Sequence, residues 1–230
     1  MTACVVVTGG SGSIGRALAR GFAARGDRVI STGHEGVAPE DGIEDRTLDL
    51  RDTDAVAELF GTLDRLDVLI NAAGVIRRGG EEFTPEGFAD VIDINLTGAM
   101  RACHAAHPLL ARRGGAIINI ASMLTFFGSG FAPAYSASKG GIGQLTRSLA
   151  IAWAADGIRV NALAPGWITT PLTAALREAP ERNAHILSRT PMGRWGDPEE
   201  LVAPALFLAS PGATFVTGAI LPVDGGYSAM

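Results

Sequence analysis

Three side chains in this sequence have the types and spacing needed to move a proton: Ser122, Tyr135 and Lys139. Tyr135 and Lys139 lie four apart in the stretch YSASK, so on a helix they share one face. A phenol with its ordinary pKa of about 10 exchanges protons poorly at neutral pH, and a neighbouring ammonium favours the phenolate and lowers that value. Lysine can do this while its other N–H donors serve nearby hydroxyls. Of the nineteen basic residues only Lys139 is a lysine. A chain that uses arginine everywhere else keeps a compact ammonium here, either by chance in an arginine-biased sequence or for a role a planar guanidinium does not fill. Ser122 stands thirteen residues before the tyrosine, at the end of an apolar run.

The elements that must position these residues alternate along the chain. CVVVT (4–8) is an apolar run of strand length, and GRALARGFAARG (15–26) has helical spacing. RVIST (28–32) and TLDL (47–50) read as the second and third strands, and TDAVAELFGTL (53–63) as a helix capped by Thr53. DVLINAAG (67–74) is a fourth strand. Thr84 caps a helix with Pro85 at its first position, and helical patterning runs on to 113, where Gly114 and Gly115 stop it. AIINIAS (116–122) is a fifth strand, followed by a helix from Tyr135 to about 155 and a sixth strand, IRVNALAP (158–165). A loop-rich stretch, 166–196, precedes a helix at 197–210, and AILPVDGG (219–226) supplies a seventh strand. Apolar strands separated by helices imply βαβ units in a parallel sheet covered on both faces. The expectation is an α/β protein: a doubly wound seven-stranded parallel sheet of the Rossmann type, one domain over 1–230. Ligands of such sheets bind beyond the carboxyl ends of the strands.

TGGSGSIG (8–15) follows the first strand and opens the first helix, and Gly10, Gly12 and Gly15 satisfy G-x-G-x-x-G. That context suits a dinucleotide, whose pyrophosphate meets backbone N–H groups at the helix N-terminus. No G-K-[ST] follows, which disfavours a triphosphate loop. The second strand ends in STGHE (31–35) without a carboxylate at the strand end, where one would bond the ribose hydroxyls of NAD. Glu35 comes late and His34 is the basic candidate, so NAD and NADP both stay open.

Bulk properties agree. The 230 residues are 47% hydrophobic and 19% charged, a profile of a globular protein. A net charge of −5 disfavours a nucleic-acid partner. Cys4 and Cys103 read as buried thiols in a reducing compartment. The N-terminus lacks the pattern of a secretion signal, and no window is apolar enough for a membrane span, so the expected location is cytoplasmic. His34, His104, His107 and His185 have no metal spacing, and no metal site is assigned. Trp153 reads as core or subunit contact. Glu199 and Glu200 open a helix, where carboxylates suit the macrodipole.

Along essentially its whole length the chain resembles the short-chain dehydrogenase/reductases in their single-domain form. The resemblance rests on TGGSGSIG, Asp49-Leu50, NAAG (71–74), NLTG (95–98), Ser122, YSASK, PGWITT (165–170) and VDGG (223–226). It implies that Tyr135 is the general acid/base at a carbonyl oxygen as hydride arrives from a nicotinamide. It implies further that Ser122 orients that oxygen, Lys139 lowers the phenol's pKa and bonds the nicotinamide ribose, and Asn95 holds a water for proton relay. The cofactor contacts implied are Gly9, Ser11, Ser13, Ile14, Gly15, His34, Asp49, Leu50, Asn71, Ala72, Ala73, Gly74, Tyr135, Lys139, Pro165, Gly166, Ile168 and Thr170, for NAD or NADP. A homotetramer packed through helices 95–113 and 135–155 is implied as well. Two departures stand out: Ser13 occupies the place of the middle glycine, and Ala72 that of a second asparagine. The segment between strands two and three is short for the family's usual helix.

NAAGVIRR (71–78), IASMLTFFGS (120–129) and RTPMGRWGDPEEL (189–201) look like the sugar-acid branch of that family, which acts on gluconate and deoxygluconate. Arg77 and Arg78 could pair with a substrate carboxylate or form a solvated pair. The stretch 166–190, with Trp167, Leu172 and Leu176, is expected to close over the substrate. The alternatives are a 3-oxoacyl-thioester reductase and a non-catalytic nucleotide sensor; the latter has no need of an intact Ser/Tyr/Lys set.

Overall fold

Val5, Val6 and Val7 are fully buried because β1 (Cys4–Thr8) runs through the interior of a seven-stranded sheet. This computed structural model describes residues 2–34, 36 and 39–230. The other strands are β2 (Arg28–Gly33), β3 (Ile43–Thr47), β4 (Val68–Asn71), β5 (Ala116–Ile120), β6 (Arg159–Pro165) and β7 (Ile220–Val223). Their order is β3-β2-β1-β4-β5-β6-β7, and every pair is parallel. The chain winds outward from β1 to β3, then restarts at β4 on the other side. The point of reversal lies between β1 and β4, where open α/β sheets leave a crevice for ligands.

Eight α-helices cover the sheet among the described residues: α1 (Ser13–Ala24), α2 (Thr53–Gly61), α3 (Pro85–Ile92), α4 (Gly98–Leu110), α5 (Pro133–Ala152), α6 (Ala174–Glu178), α7 (Pro180–Ser188) and α8 (Val202–Ala209). Alternate strand residues face opposite sides. Val6, Ile30, Leu69 and Ile117 therefore pack with Val56, Leu59, Ala102, Cys103 and Leu110 of α2 and α4. Val5, Val7, Ile70 and Ile118 pack on the other face with Leu18 and Phe22 of α1 and Leu208 of α8. Both faces are dry, as a parallel sheet requires.

Several boundaries differ from the sequence reading. The third strand is Ile43–Thr47, not 47–50. It is a sheet edge with one half-exposed face, so its IEDRT is mostly polar, while the apolar Leu48 and Leu50 plug the interior after it. Asp52, not Thr53, caps α2, its carboxylate accepting from Ala55 N at 2.9 Å. The stretch 166–196 carries α6 and α7, and the expected helix at 197–210 is a 3₁₀ turn (Pro198–Leu201) running into α8. Helix α5 opens at Pro133, two residues before Tyr135. No helix forms among the described residues between β2 and β3. Thr84 caps α3 as expected, accepting from Gly87 N at 3.0 Å. Between α3 and α4 the chain makes one π-helical turn, Asp93–Thr97.

Candidate active site

Ser122, Tyr135 and Lys139 converge at the carboxyl end of β5. Ser122 caps a 3₁₀ turn (Met123–Thr125), and its hydroxyl lies near enough to the Tyr135 phenol to act on its titration. Lys139 is one turn along α5 and 4% exposed; its Nζ donates to Ile120 O, the last residue of β5, at 2.7 Å. Nζ lies 5.6 Å from the Tyr135 ring centroid. Burial pulls the lysine down to about 8.

The phenol does not behave as its spacing from Lys139 implied. Burial pushes Tyr135 above the usual phenol range, Ser122's hydrogen bond pulls it back, and the Glu82 carboxylate pushes it up again. The lysine, drawn down to about 8, has lost its charge before the phenol titrates, so it does not supply the expected depression. The phenol is thus a firmly protonated acid at neutral pH.

Three side chains hold this group in place, and one of them, Glu82, carries no sequence signature of the role. Asn95, in the π turn, accepts from Val75 N at 2.8 Å and donates to Val75 O at 2.9 Å and to Ser138 Oγ at 3.1 Å. Thr125 donates to Lys139 O at 2.9 Å and accepts from Ser122 N at 3.3 Å, joining the serine turn to α5. Its signal was readable as a capping spacing, Ser122-x-x-Thr125. Glu82, 1% exposed, accepts from Arg77 N and from Tyr135 N, each at 2.9 Å. Nothing in the sequence sets Glu82 apart from Glu81 beside it.

A glycine loop faces this group across the crevice. Gly9 has φ +72°, and a Cβ there would sit 2.4 Å from Ala73 N, so β1 and the NAAG segment touch backbone to backbone. A Cβ on Gly15 would sit 2.2 Å from Gly9 O. Gly12 caps α1 without a side-chain acceptor. The first N–H groups of α1, at Ser13, Ile14 and Gly15, therefore point into the turn with the positive end of the helix dipole behind them. That cradle fits a pyrophosphate. Gly74 lies beside Lys139 Nζ and Asn95 Oδ1, at 3.5 and 3.6 Å from a Cβ built there.

Other expected contacts are placed less simply. Asn71 donates to Cys103 Sγ at 3.2 Å and to Asn119 Oδ1 at 2.9 Å, so its amide faces the buried interior instead of the crevice. Burial pushes the Cys103 thiol up to about 12. Ala72 and Ala73 continue past β4, and Leu50 is buried against Gly98. Asp49 is gripped by Arg51, whose hydrogen bonds hold its carboxyl down at about 2. His34 is exposed and close enough to add to that lowering; Glu35 lies outside the described residues. A cavity of about 240 Å³ opens at this end, lined by Ser11, Gly33, Asp45 and Thr47. Pro165 ends β6, and Gly166 passes so close to Asp224 that a Cβ would lie 2.6 Å from its Cα. Ile168 is buried, and Thr170 caps the turn Pro171–Thr173. Arg77 closes on Asp90 at 2.6 Å, and Arg78 reaches the Leu172 carbonyl.

Residues 9–228 match the family model described as enoyl-(acyl carrier protein) reductase. The chain belongs to the short-chain dehydrogenase/reductase family. It is an oxidoreductase of CH–OH groups that uses NAD or NADP. This dehydrogenase is 40% identical to the galactitol 2-dehydrogenase (L-tagatose-forming) of Cereibacter sphaeroides, over 98% of the chain and 95% of that protein. It is also 40% identical to the 2-dehydro-3-deoxy-D-gluconate 5-dehydrogenase of Bacillus subtilis, over 96% of the chain and 93% of the relative. Its fold is similar to the crystal structure of a gluconate 5-dehydrogenase from Burkholderia cenocepacia in complex with NADP and tartrate. The TM-score is 0.90 and the identity 31%, over 99% of this chain and 96% of that one. Among the described residues no helix is long and apolar enough to cross a membrane.

Proposed function

We propose that this chain interconverts a ketone and a secondary alcohol on a sugar acid of the gluconate or deoxygluconate type. The observation that carries the reading is the convergence of Ser122 and Tyr135 beside the buried Lys139 ammonium, facing the glycine cradle. A bound nicotinamide supplies the hydride chemistry. Tyr135 holds the proton that the substrate oxygen takes up, and Ser122 donates to that oxygen and orients it. Lys139 uses one of its three donors on Ile120 O, which leaves two for a ribose hydroxyl and a relay. Asn95 fixes the backbone at Val75, the wall from which a relay water would hang. The N–H groups of Ser13, Ile14 and Gly15 hold the pyrophosphate, and Gly9, Ser11, Leu50, Ala72, Ala73, Gly74, Pro165, Gly166, Ile168 and Thr170 wall the dinucleotide.

The sugar-acid choice draws support from the relatives, which act on a polyol and on a deoxygluconate rather than on thioesters. Tartrate, found with the Burkholderia enzyme, is itself a hydroxy acid. Arg78, reaching from the loop after β4 to the 166–190 stretch, supplies positive charge at the mouth of the crevice. We place the enzyme in the cytoplasm as a homotetramer of one-domain subunits (1–230), with α4 and α5 against symmetry mates. A panel of both reduced cofactors against keto-deoxy sugar acids and acetoacetyl thioesters tests the assignment. Higher kcat/KM on the thioesters would overturn it.

A further inference from the structure

We propose that Glu82 is a positioning residue for Tyr135: its buried carboxylate clamps the first turn of α5 to the loop after β4. The inference rests on the reading of Tyr135 as the proton carrier.

Helix α5 begins with no cap of its own. Its N-cap, Ala132, offers no side-chain acceptor, Pro133 has no N–H, and the first intrahelical bond, from Ser136 N to Ala132 O, leaves Tyr135 N without a partner inside the helix. Glu82, 53 residues earlier, fills that gap with Oε2 at 2.9 Å. A carboxylate there also meets the positive end of the helix dipole. Its other oxygen, Oε1, takes Arg77 N at 2.9 Å, so one side chain spans both elements. A charge that is 1% exposed is tolerated only when its oxygens are bonded, and here both are.

Asn95 makes the same connection one step away. It holds the loop at Val75 and reaches α5 through Ser138, whose Oγ donates to Tyr135 O at 2.7 Å. Tyr135 is therefore held by its N–H through Glu82 and by its carbonyl through Ser138 and Asn95. The two clamps differ in charge. The charged groups on the elements around this turn are Glu81 beside Glu82, Arg77 and Arg78 on the loop, Glu86 and Asp90 on α3, and Lys139 and Arg147 on α5. Arg77 is closed on Asp90, and of these groups Glu82 is the one that acts on the phenol's titration, raising it.

Glu82→Gln preserves shape but offers one acceptor oxygen to two N–H donors and removes the charge. The test uses the full chain with its tyrosines labelled at ¹³Cζ; there are two, and Tyr135→Phe assigns them. Wild type, Glu82→Gln and Glu82→Ala are compared by NMR titration, by thermal melting, and by oxidation of D-gluconate with NAD⁺ and NADP⁺. In Glu82→Gln the Tyr135 midpoint moves to lower pH, and kcat falls by roughly tenfold or more while KM for the cofactor stays within about twofold. A merely structural role would lower the melting temperature and leave the midpoint in place, which overturns the proposal. If the wild type does not oxidise D-gluconate, the sugar-acid assignment falls and the variants are compared on the substrate of the panel above that it does turn over: a loss of kcat with the cofactor KM held upholds the clamp, and an unchanged kcat overturns it. If Glu82→Ala fails to fold, the glutamine variant carries the comparison.

Discussion

Lys139 Nζ donates to the main-chain carbonyl of Ile120 at 2.7 Å, so the chain's one lysine is moored to the end of β5 and not to a carboxylate. Its ammonium is buried without a counter-charge, and burial draws it down to about 8. The unfolded chain binds more protons than the folded one between that value and the ordinary lysine pKa of about 10.4. Stability should therefore rise with pH across that window, by an amount on the order of 3 kcal/mol. Urea midpoints of wild type and Lys139→Met, measured from pH 7 to 10.5, should converge as pH rises. Because no other lysine is present, a ¹³Cε-lysine label gives a single resonance, which should titrate near 8. A resonance that stays charged through pH 10 would contradict the burial argument.

Lys139→Arg keeps the charge but places a planar fork where only a compact head reaches Ile120 O. Turnover should fall by roughly a hundredfold or more. Tyr135→Phe should abolish turnover while nicotinamide fluorescence still reports cofactor binding. An arginine variant of near-normal activity would contradict the mooring.

Asp45 gives one oxygen to Arg16 at 2.8 Å and lines the cavity at the ends of β2 and β3. A carboxylate beside the adenosine ribose opposes a 2′-phosphate. Asp45→Asn should move the ratio of NADPH to NADH dissociation constants by roughly tenfold toward NADPH, read by fluorescence titration. An unchanged ratio would put the 2′ position outside this cavity.

Thr125 joins the Ser122 turn to Lys139 O. Thr125→Val keeps the volume and loses both bonds. We expect kcat to fall by roughly tenfold, with a loss of about 1 kcal/mol in stability from a chemical melt. Equal kcat would mean that Ser122 is held by its own cap alone.

The sheet was legible because Val5–Val7, Leu69–Ile70 and Ile117–Ile118 are continuous apolar runs, the signature of strands covered on both faces. Edge strand β3 was misplaced because a half-exposed strand tolerates IEDRT, and Leu48 and Leu50 drew attention by being apolar. Ser122, Tyr135 and Lys139 stood out by type and spacing. Glu82 did not, since a buried carboxylate bonded to two backbone amides has the same one-letter appearance as a solvated one. The direction of the phenol's shift was also unreadable, because it depends on how deeply the phenol and the lysine are buried after folding.

The turn at Asp93–Thr97 holds one residue more than a regular helical turn. Removing a single residue from it would leave one regular α-helix over 85–110, since such bulges are one-residue insertions. Each residue advances a helix by about 100°, so the face bearing Ala99, Ala102, Cys103 and Ala106 would swing off the sheet. Relatives that differ in length should carry their insertions before or after this turn, never within it.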